Sequence, residues 1–532
     1  MTAGTHARPS AAPLTGWPNL LRLALRRDRI WLSVWISSLT LMMLYAPNAM
    51  KLAYPEEAQR FARVNLLKTP AGMMLGGPMF GGNETELGAM VANELMLTVI
   101  IAVSIMAILT VIRHTRAEEE SGAAELVMSS VVGRYARTFA ALVLMGMVNG
   151  ILAMTMTVAL AATGLPVVDC AAMCLGITGV SMVFGAVAAV TAQLWRQART
   201  VSGAAMAVLA AVALIRAIGD VIDNSGSALS WFSPIAWAQQ MRSFVDLRWW
   251  PFALLILLVV ALVAVAVALE SHRQYDDGVL PATGEHPNAH AIRGVFGLHE
   301  TLQRGQVIGW SVALLLSGAA FGSMTKSLQD AAKSNPLIAR VLAAEGLDGI
   351  YTTMTQFLAA ATTAFVAAAV LRLSRDEQSG LAEPVLAGSV SRWRWLLTAV
   401  TAAVLSSAVL MLCAGFGNGL GAGITLGELP TVARLTAPGL AFVPAMAMVA
   451  AVAALAVAVK RPWIAWLFVT YIVLALYLGA LLRLPRWLVD ASPVGRTTAP
   501  THVPVTALLM MIGVAIALTA VAGVIYRRRD VV

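Results

Sequence analysis

The chain has 532 residues, of which 59% are hydrophobic and only 12% are charged, and its mean hydropathy is +0.77. A soluble domain of this size carries about twice that charged fraction, so the composition excludes an ordinary soluble protein. The net charge of +9 does not indicate a nucleic-acid partner, because many basic residues stand at the ends of long apolar runs, where they orient membrane proteins.

Six long apolar runs fill the first half of the chain. Runs of about 20 apolar residues with few charges are typical of membrane-spanning helices. Residues 1–270 are therefore predicted to form a transmembrane half of six helices. The runs lie at about Ile30–Tyr45, Met90–Ile112, Phe139–Leu165, Ala171–Leu194, Val201–Ile215 and Pro251–Leu269.

A hydrophilic linker, residues 271–302, separates this half from a second six-helix half, residues 303–532. The linker contains four histidines at irregular spacing, which does not indicate a metal site. The sequence thus predicts an all-α polytopic membrane protein of about twelve transmembrane helices. The runs of the second half lie at about Val307–Met324, Tyr351–Leu371, Trp395–Phe416, Ala437–Val459, Trp463–Leu482 and Val503–Ile525.

A charged segment occurs once in each half, between its second and third runs. Segment 1, residues 113–125, reads RHTRAEEESGAAE and precedes Gly133-Arg134; segment 2, residues 372–383, reads RLSRDEQSGLAE and precedes Ser391-Arg392. The starts of the segments are 259 residues apart, and so are the Ser-Pro pairs before the sixth and twelfth runs. This matched spacing indicates one ancestral six-helix unit used twice, in two parallel repeats.

The distribution of basic residues predicts the orientation. With the N-terminus inside, the inner loops and helix ends hold more arginine and lysine than the longer outer loops do. The positive-inside rule then places both segments and both termini in the cytoplasm.

Both segments contain more acidic residues than a helix cap requires. Thr115-x-x-Glu118 and Ser374-x-x-Glu377 fit the capping box, which predicts a short helix at each place. Capping alone needs one glutamate, and a solvated charged face is the alternative explanation. The recurrence in both halves favours the docking of a cytoplasmic partner. The acidic residues concerned are Glu118, Glu119, Glu120 and Glu125 in segment 1, and Asp376, Glu377 and Glu383 in segment 2.

The shared Glu-x-Ser-Gly-x-x-Glu motif, with Arg216-Ala-Ile-Gly-Asp220 and Trp231-Phe-Ser-Pro234, resembles permease subunits of type-2 ABC exporters. The similarity is to the double-length class of bacterial exporters of polyketide antibiotics such as tetronasin, and it extends over essentially the whole chain. The resemblance implies that each segment forms a coupling helix and that two copies of a separate ATPase bind them. Segment 2 departs from the pattern at Gln378 and Pro384 and is one residue shorter, so its contact is expected to differ. The residues implied in ATPase coupling are the acidic residues above together with Arg134 and Arg392.

The sequence contains no Walker A motif, because none of its lysines follows a glycine. We therefore expect no cofactor and no enzymatic activity in this chain, with Mg-ATP bound and hydrolysed on the partner. The glycine-rich run Gly415–Gly423 lacks the strand context of a dinucleotide site and is expected to be a flexible or closely packed turn at the end of the ninth run.

Arg216 and Asp220 are charged residues near the outer end of the fifth run. An intramembrane charge points to function, and an i, i+4 pair can also neutralise itself. A structural ion pair at an outer gate and a polar exit path therefore both stay open.

Few charges line the runs, so the expected cargo is a hydrophobic or amphipathic compound moved out of the cell. A secondary transporter driven by protons or sodium ions is the main alternative, and its candidate carboxylates are Glu94 and Asp220, both near the outer ends of runs. A membrane sensor without transport is a further alternative.

Overall fold

The computed structural model describes most of the chain as helix. The described residues are 12–68, 70–80, 85–122, 132–223, 225–273, 277–280, 294–326, 328–329, 336–477, 485, 487–488, 491–498 and 505–529. The regular elements among these residues are all helical. They fall into two compact units, Met1–Glu285 and His286–Val532.

The helices of the first unit include one for each of the six apolar runs; five extend beyond their run, and the third ends at Ala161, before the predicted Leu165. Long apolar helices satisfy their own backbone hydrogen bonds, which lipid cannot do for them. The described helices of this unit, long and short, are α1 (Trp17–Ala53), α2 (Glu57–Leu67), α3 (Pro70–Gly76), α4 (Leu87–Arg113), α5 (Arg116–Glu120), α6 (Ala136–Ala161), α7 (Val167–Leu194), α8 (Ala198–Ile222), α9 (Pro234–Gln239) and α10 (Trp250–His272), with a 3-10 turn at Ser230–Phe232.

The second unit begins with a helix that includes the last residues of the predicted linker. Its helices are α11 (Gly294–Ser323), α12 (Pro336–Gln378), α13 (Glu383–Leu386), α14 (Arg392–Leu426), α15 (Pro430–Thr436), α16 (Val443–Ala458), α17 (Trp463–Tyr477) and α18 (Val505–Arg528), with a 3-10 segment at Ala437–Phe442. The α12 helix is broken at Gly346, whose φ of 66° is left-handed.

Eleven helical stretches of the described residues are long and apolar enough to cross a membrane, six in the first unit and five in the second. Helix α17 is apolar but covers only 15 described residues. These helices confirm the prediction of an all-α polytopic membrane protein.

The core of the first unit forms around α4 and α7. Apolar side chains on all sides of these two helices are buried, among them Val103, Ile108, Met173 and Ile177. A helix that is hydrophobic all round is typical of the centre of a bundle. The core thereby fixes the end of α4 from which segment 1 emerges.

The prediction of a turn at the glycine-rich run is wrong, because Gly415–Gly423 lies inside α14. A Cβ at Gly417 would overlap the carbonyl oxygen of Leu315 in α11, and one at Gly421 would overlap that of Ala319. The glycines allow the two backbones to approach closely, as small residues do between transmembrane helices. The glycine-rich run therefore allows close packing between α14 and α11 and does not form a turn.

Candidate functional site

Segment 1 begins with Arg113, the last residue of α4, and after two further residues it forms the short helix α5. A short helix was predicted here, but Thr115 does not cap it, because its hydroxyl donates to the Val111 carbonyl at 2.7 Å. Threonine at the end of a helix can bond the carbonyl four residues earlier in this way, which competes with capping. Glu125 lies outside the described residues.

Glu119 points into the protein, where its side chain is 3% exposed. Its carboxylate accepts from Arg116 Nη1 at 2.7 Å, from Arg273 Nη2 at 2.7 Å and from Arg137 Nη2. A buried carboxylate is stable only when such partners compensate for its lost hydration. Any role of Glu119 in ATPase coupling would therefore be exerted through its arginine partners.

Arg116 also closes the end of α7. Its Nε donates to the Ala192 carbonyl, and its Nη2 donates to the Asp277 carbonyl at 2.6 Å. Carbonyls in the last turn of a helix lack partners within the helix, and arginine commonly satisfies them. Residues 277–280 are fixed nearby, because the amides of Val279 and Leu280 donate to the last residues of α7 at 3.0 Å.

The two neighbouring glutamates have different surroundings. Glu118 is partly exposed. Its carboxylate pairs with Arg27 Nη1 at 3.0 Å and lies 3.4 Å from His114 Nδ1. Glu120 is exposed, and its Oε2 accepts from the amide of Ala198 at 3.1 Å. Ala198 begins α8, so this carboxylate lies at the positive end of a helix dipole. Glu120 therefore offers the most accessible charge of the three.

Asp28 of α1 is a site residue that the sequence analysis did not predict. It is buried, with one carboxylate oxygen 3.0 Å from Arg113 Nη1 and the other 2.7 Å from His114 Nε2. The residue stands in a basic stretch, where a lone acidic residue gives little signal. Together with Glu118 it ties α1 to the end of α4.

Arg134 binds the end of the last long helix in its unit. Its Nη2 donates to the carbonyls of Glu270, Ser271 and Arg273 at 2.8, 2.9 and 2.9 Å. A cation at the carbonyl end of a helix is favourable both as a donor and against the helix dipole. The guanidinium is thus engaged within the unit at the C-terminal end of α10.

Segment 2 begins as the end of α12, which continues through Ser374 to Gln378. The capping box predicted at Ser374 is wrong, because no helix starts there. Asp376 pairs with Arg372 Nε at 3.5 Å within the same helix. The side chain of Glu377 is 6% exposed and accepts from the Tyr526 hydroxyl and from Arg529 Nη2.

Arg392 completes this arrangement, because its Nη1 donates to the Arg529 carbonyl just after α18. The exposed residues of segment 2 lie before, within and after the Ser379-Gly380 pair, and Leu381, which follows it, is 67% exposed. Pro384 occupies the first turn of α13, where its missing amide hydrogen is tolerated. The exposed positions of the segment are Arg375, Gln378, Ser379, Leu381 and Glu383.

Arg216 and Asp220 form a buried ion pair near the end of α8, with Arg216 Nε 3.3 Å from Asp220 Oδ2. The guanidinium also donates to Gln239 Oε1 at 3.3 Å and to the carbonyls of Met73 and Met74 at the end of α3. Asp220 accepts from the hydroxyl of Ser230 at 2.7 Å. The pair thus joins α3, α8, the 3-10 turn and α9, which favours the structural explanation over a polar path.

Glu94 of α4 is likewise paired. It accepts from Arg63 Nε, and Arg63 also donates to the Met90 carbonyl at 3.2 Å. Arg63 is buried in α2, which precedes α4 in the chain. Both carboxylates considered for ion coupling therefore carry an arginine partner.

The long apolar helices and the charged segments at their ends define a multi-pass membrane protein. The C-terminal-domain model of the multidrug efflux system permease Rv1217c matches residues 292–527. The multidrug efflux system permease protein Rv1217c of Mycobacterium tuberculosis (strain ATCC 25618 / H37Rv) is 35% identical over 557 residues, which cover 99% of this chain and 98% of that protein. The chain belongs to this family of multidrug efflux system permeases.

Proposed function

We propose that the chain is the membrane-spanning subunit of an ATP-driven exporter in the bacterial plasma membrane, with both termini in the cytoplasm. The single observation that carries the proposal is the repeated arrangement of the segments. In each unit a short polar segment leaves the second long helix, holds one glutamate buried on an arginine, and keeps other residues exposed. Exposed residues on a firmly held support can bind a partner and transmit its movement.

The partner is a separate ATPase, in two copies, one for each segment. This follows the type-2 ABC plan of the double-length, tetronasin-resistance class, in which one chain supplies both transmembrane halves. Mg-ATP is bound and hydrolysed on the ATPase, and this chain acts as a permease without a cofactor of its own. The relative's name, multidrug efflux system permease, supports hydrophobic and amphipathic compounds as the cargo.

An ion-coupled transporter is the weaker explanation. Such a mechanism uses carboxylates near the middle of the membrane that gain and lose an ion. Glu94 and Asp220 are each paired with an arginine. An arginine partner already occupies each carboxylate, which opposes the reversible binding of a proton or sodium ion there.

Inverted membrane vesicles test the proposal. Vesicles that contain this chain and its proposed ATPase partner should accumulate a fluorescent amphipathic dye when ATP is added. The matched control replaces the Walker A lysine of the ATPase and should abolish uptake, whereas a proton ionophore should leave it unchanged. Uptake that needs a proton gradient and no ATP would reject the proposal in favour of the ion-coupled transporter.

A further inference from the structure

One ion pair recurs in both units at corresponding positions. Glu119 and Glu377, whose side chains are 3% and 6% exposed, each stand two residues before a Ser-Gly pair and are 258 residues apart. Each pairs with the arginine that immediately follows the last long helix of its own unit. Arg273 follows α10 and binds Glu119 at 2.7 and 3.0 Å, and Arg529 follows α18 and binds Glu377.

A second contact reaches the same two helix ends. Arg134 and Arg392 are also 258 residues apart, and each precedes or begins the third long helix of its unit. Arg134 donates to carbonyls at and just after the end of α10, and Arg392 donates to the carbonyl of Arg529. In each unit, therefore, both the segment and an arginine that follows it in the chain are bonded to the end of the last long helix.

The surroundings of the two pairs are different. Glu119 also meets Arg116 and Arg137, whereas Glu377 also meets the hydroxyl of Tyr526. The same pairing is thus built with different neighbours in the two units. Separating Glu377 from Arg529 would leave an uncompensated charge at a side chain that is only 6% exposed, whereas Glu119 without Arg273 would keep Arg116 and Arg137.

We infer that Arg273 and Arg529 are positioning residues that fix each segment to the end of the last long helix of its unit. Displacement of a segment is then carried directly into α10 or α18. The inference rests on the proposed function for the source of that displacement, which is the ATPase. The attachment of the segments is carried by the ion pairs and does not depend on the ATPase.

The second unit offers the cleaner test, because Glu377 has a single arginine partner among the described residues. We would compare Arg529→Glu with Arg528→Glu, which reverses an exposed neighbouring arginine. The charge-swapped double variant, Glu377→Arg with Arg529→Glu, restores the attraction with the charges exchanged. It also shows whether a defect of the single variant reflects the lost pair or general misfolding.

Amide hydrogen exchange, measured on the full-length chain in nanodiscs without the ATPase, tests whether segment 2 is attached. The amides of Ser379 and Ala382 donate to Arg375 and Asp376 at 3.0 and 3.1 Å, so their exchange reports the order of segment 2. Arg529→Glu should speed their exchange at least tenfold, Arg528→Glu should leave it unchanged, and the swap should restore most of the protection. Unchanged exchange in Arg529→Glu, or no recovery in the swap, would overturn the attachment.

Transport then tests the positioning role. Arg529→Glu should reduce ATP-dependent dye uptake at least tenfold while the ATPase still binds, and the swap should recover it. Loosened segments with wild-type uptake would overturn the positioning role. If wild-type vesicles show no ATP-dependent uptake at all, the proposed function fails and the positioning role fails with it, while hydrogen exchange still decides whether the attachment exists.

Discussion

At the scale of single residues, the three consecutive glutamates of segment 1 have three different surroundings. Glu118 pairs with Arg27, Glu119 is buried among arginines, and Glu120 is exposed at the start of α8. On a short helix, successive side chains point in different directions, so adjacent residues of one type meet different partners. Their contributions to stability should therefore be unequal.

We expect Glu119→Gln to lower stability far more than Glu120→Gln. The first change leaves buried arginines without their anion, and breaking a buried pair from one side costs about 3–5 kcal/mol. Glu120 is exposed, so its replacement should cost much less. The midpoint of thermal unfolding in detergent measures both. Equal midpoints for the two variants would show that the carboxylate of Glu119 is not needed within the protein.

The buried pair Arg216–Asp220 gives a second test at this scale. Arg216→Met and Asp220→Asn should each lower the unfolding midpoint, because each leaves one unpaired buried charge. Residues in direct contact couple by about 0.5–3 kcal/mol, so the double variant should lose less than the sum of the two single losses. Strictly additive losses, or normal stability with transport abolished, would favour a polar exit path instead.

At the scale of helices, apolar runs predicted where helices lie but not what surrounds their ends. Hydropathy is a local property, so the long helices could be found from the sequence alone. The inward direction of Glu119 depends on Arg137 and Arg273, which follow it by 18 and 154 residues. The two capping boxes failed for separate reasons, because the hydroxyl of Thr115 bonds the Val111 carbonyl and because α12 continues through Ser374. The sequence signal that could have predicted these ion pairs is an arginine just after the sixth run of each half, Arg273 and Arg529.

The glycine contact between α11 and α14 predicts the sign of the change in stability when a glycine is replaced by alanine. Gly417→Ala should destabilise the protein by about 1–3 kcal/mol, because the added methyl meets the backbone of α11. Gly309→Ala in α11 is the matched control, since nothing lies within 4 Å of a Cβ there. Alanine favours a helix over glycine, so this control should be neutral or slightly stabilising. Thermal unfolding midpoints distinguish the two, and a neutral Gly417→Ala would contradict the close approach.

At the scale of the whole molecule, the sequence repeat predicted two related halves, and the chain divides into two compact units near the middle. Among the described residues, segment 1 presents Glu120 and Ser121, and segment 2 presents Arg375, Gln378, Ser379, Leu381 and Glu383. In the sequence, Leu381 stands where segment 1 has Ala123. We therefore expect the two ATPase contacts to be unequal, with more apolar contact at segment 2.

The central claim is that one chain binds two ATPase subunits, one at each segment. Native mass spectrometry of the complex released from nanodiscs counts the subunits directly. We predict one permease chain with two ATPases for the wild type. The double variant Leu381→Asp with Glu383→Arg should hold one ATPase, because it changes only exposed residues of segment 2. A wild-type complex with a single ATPase, a permease dimer with two ATPases, or a variant that still holds two would contradict the account.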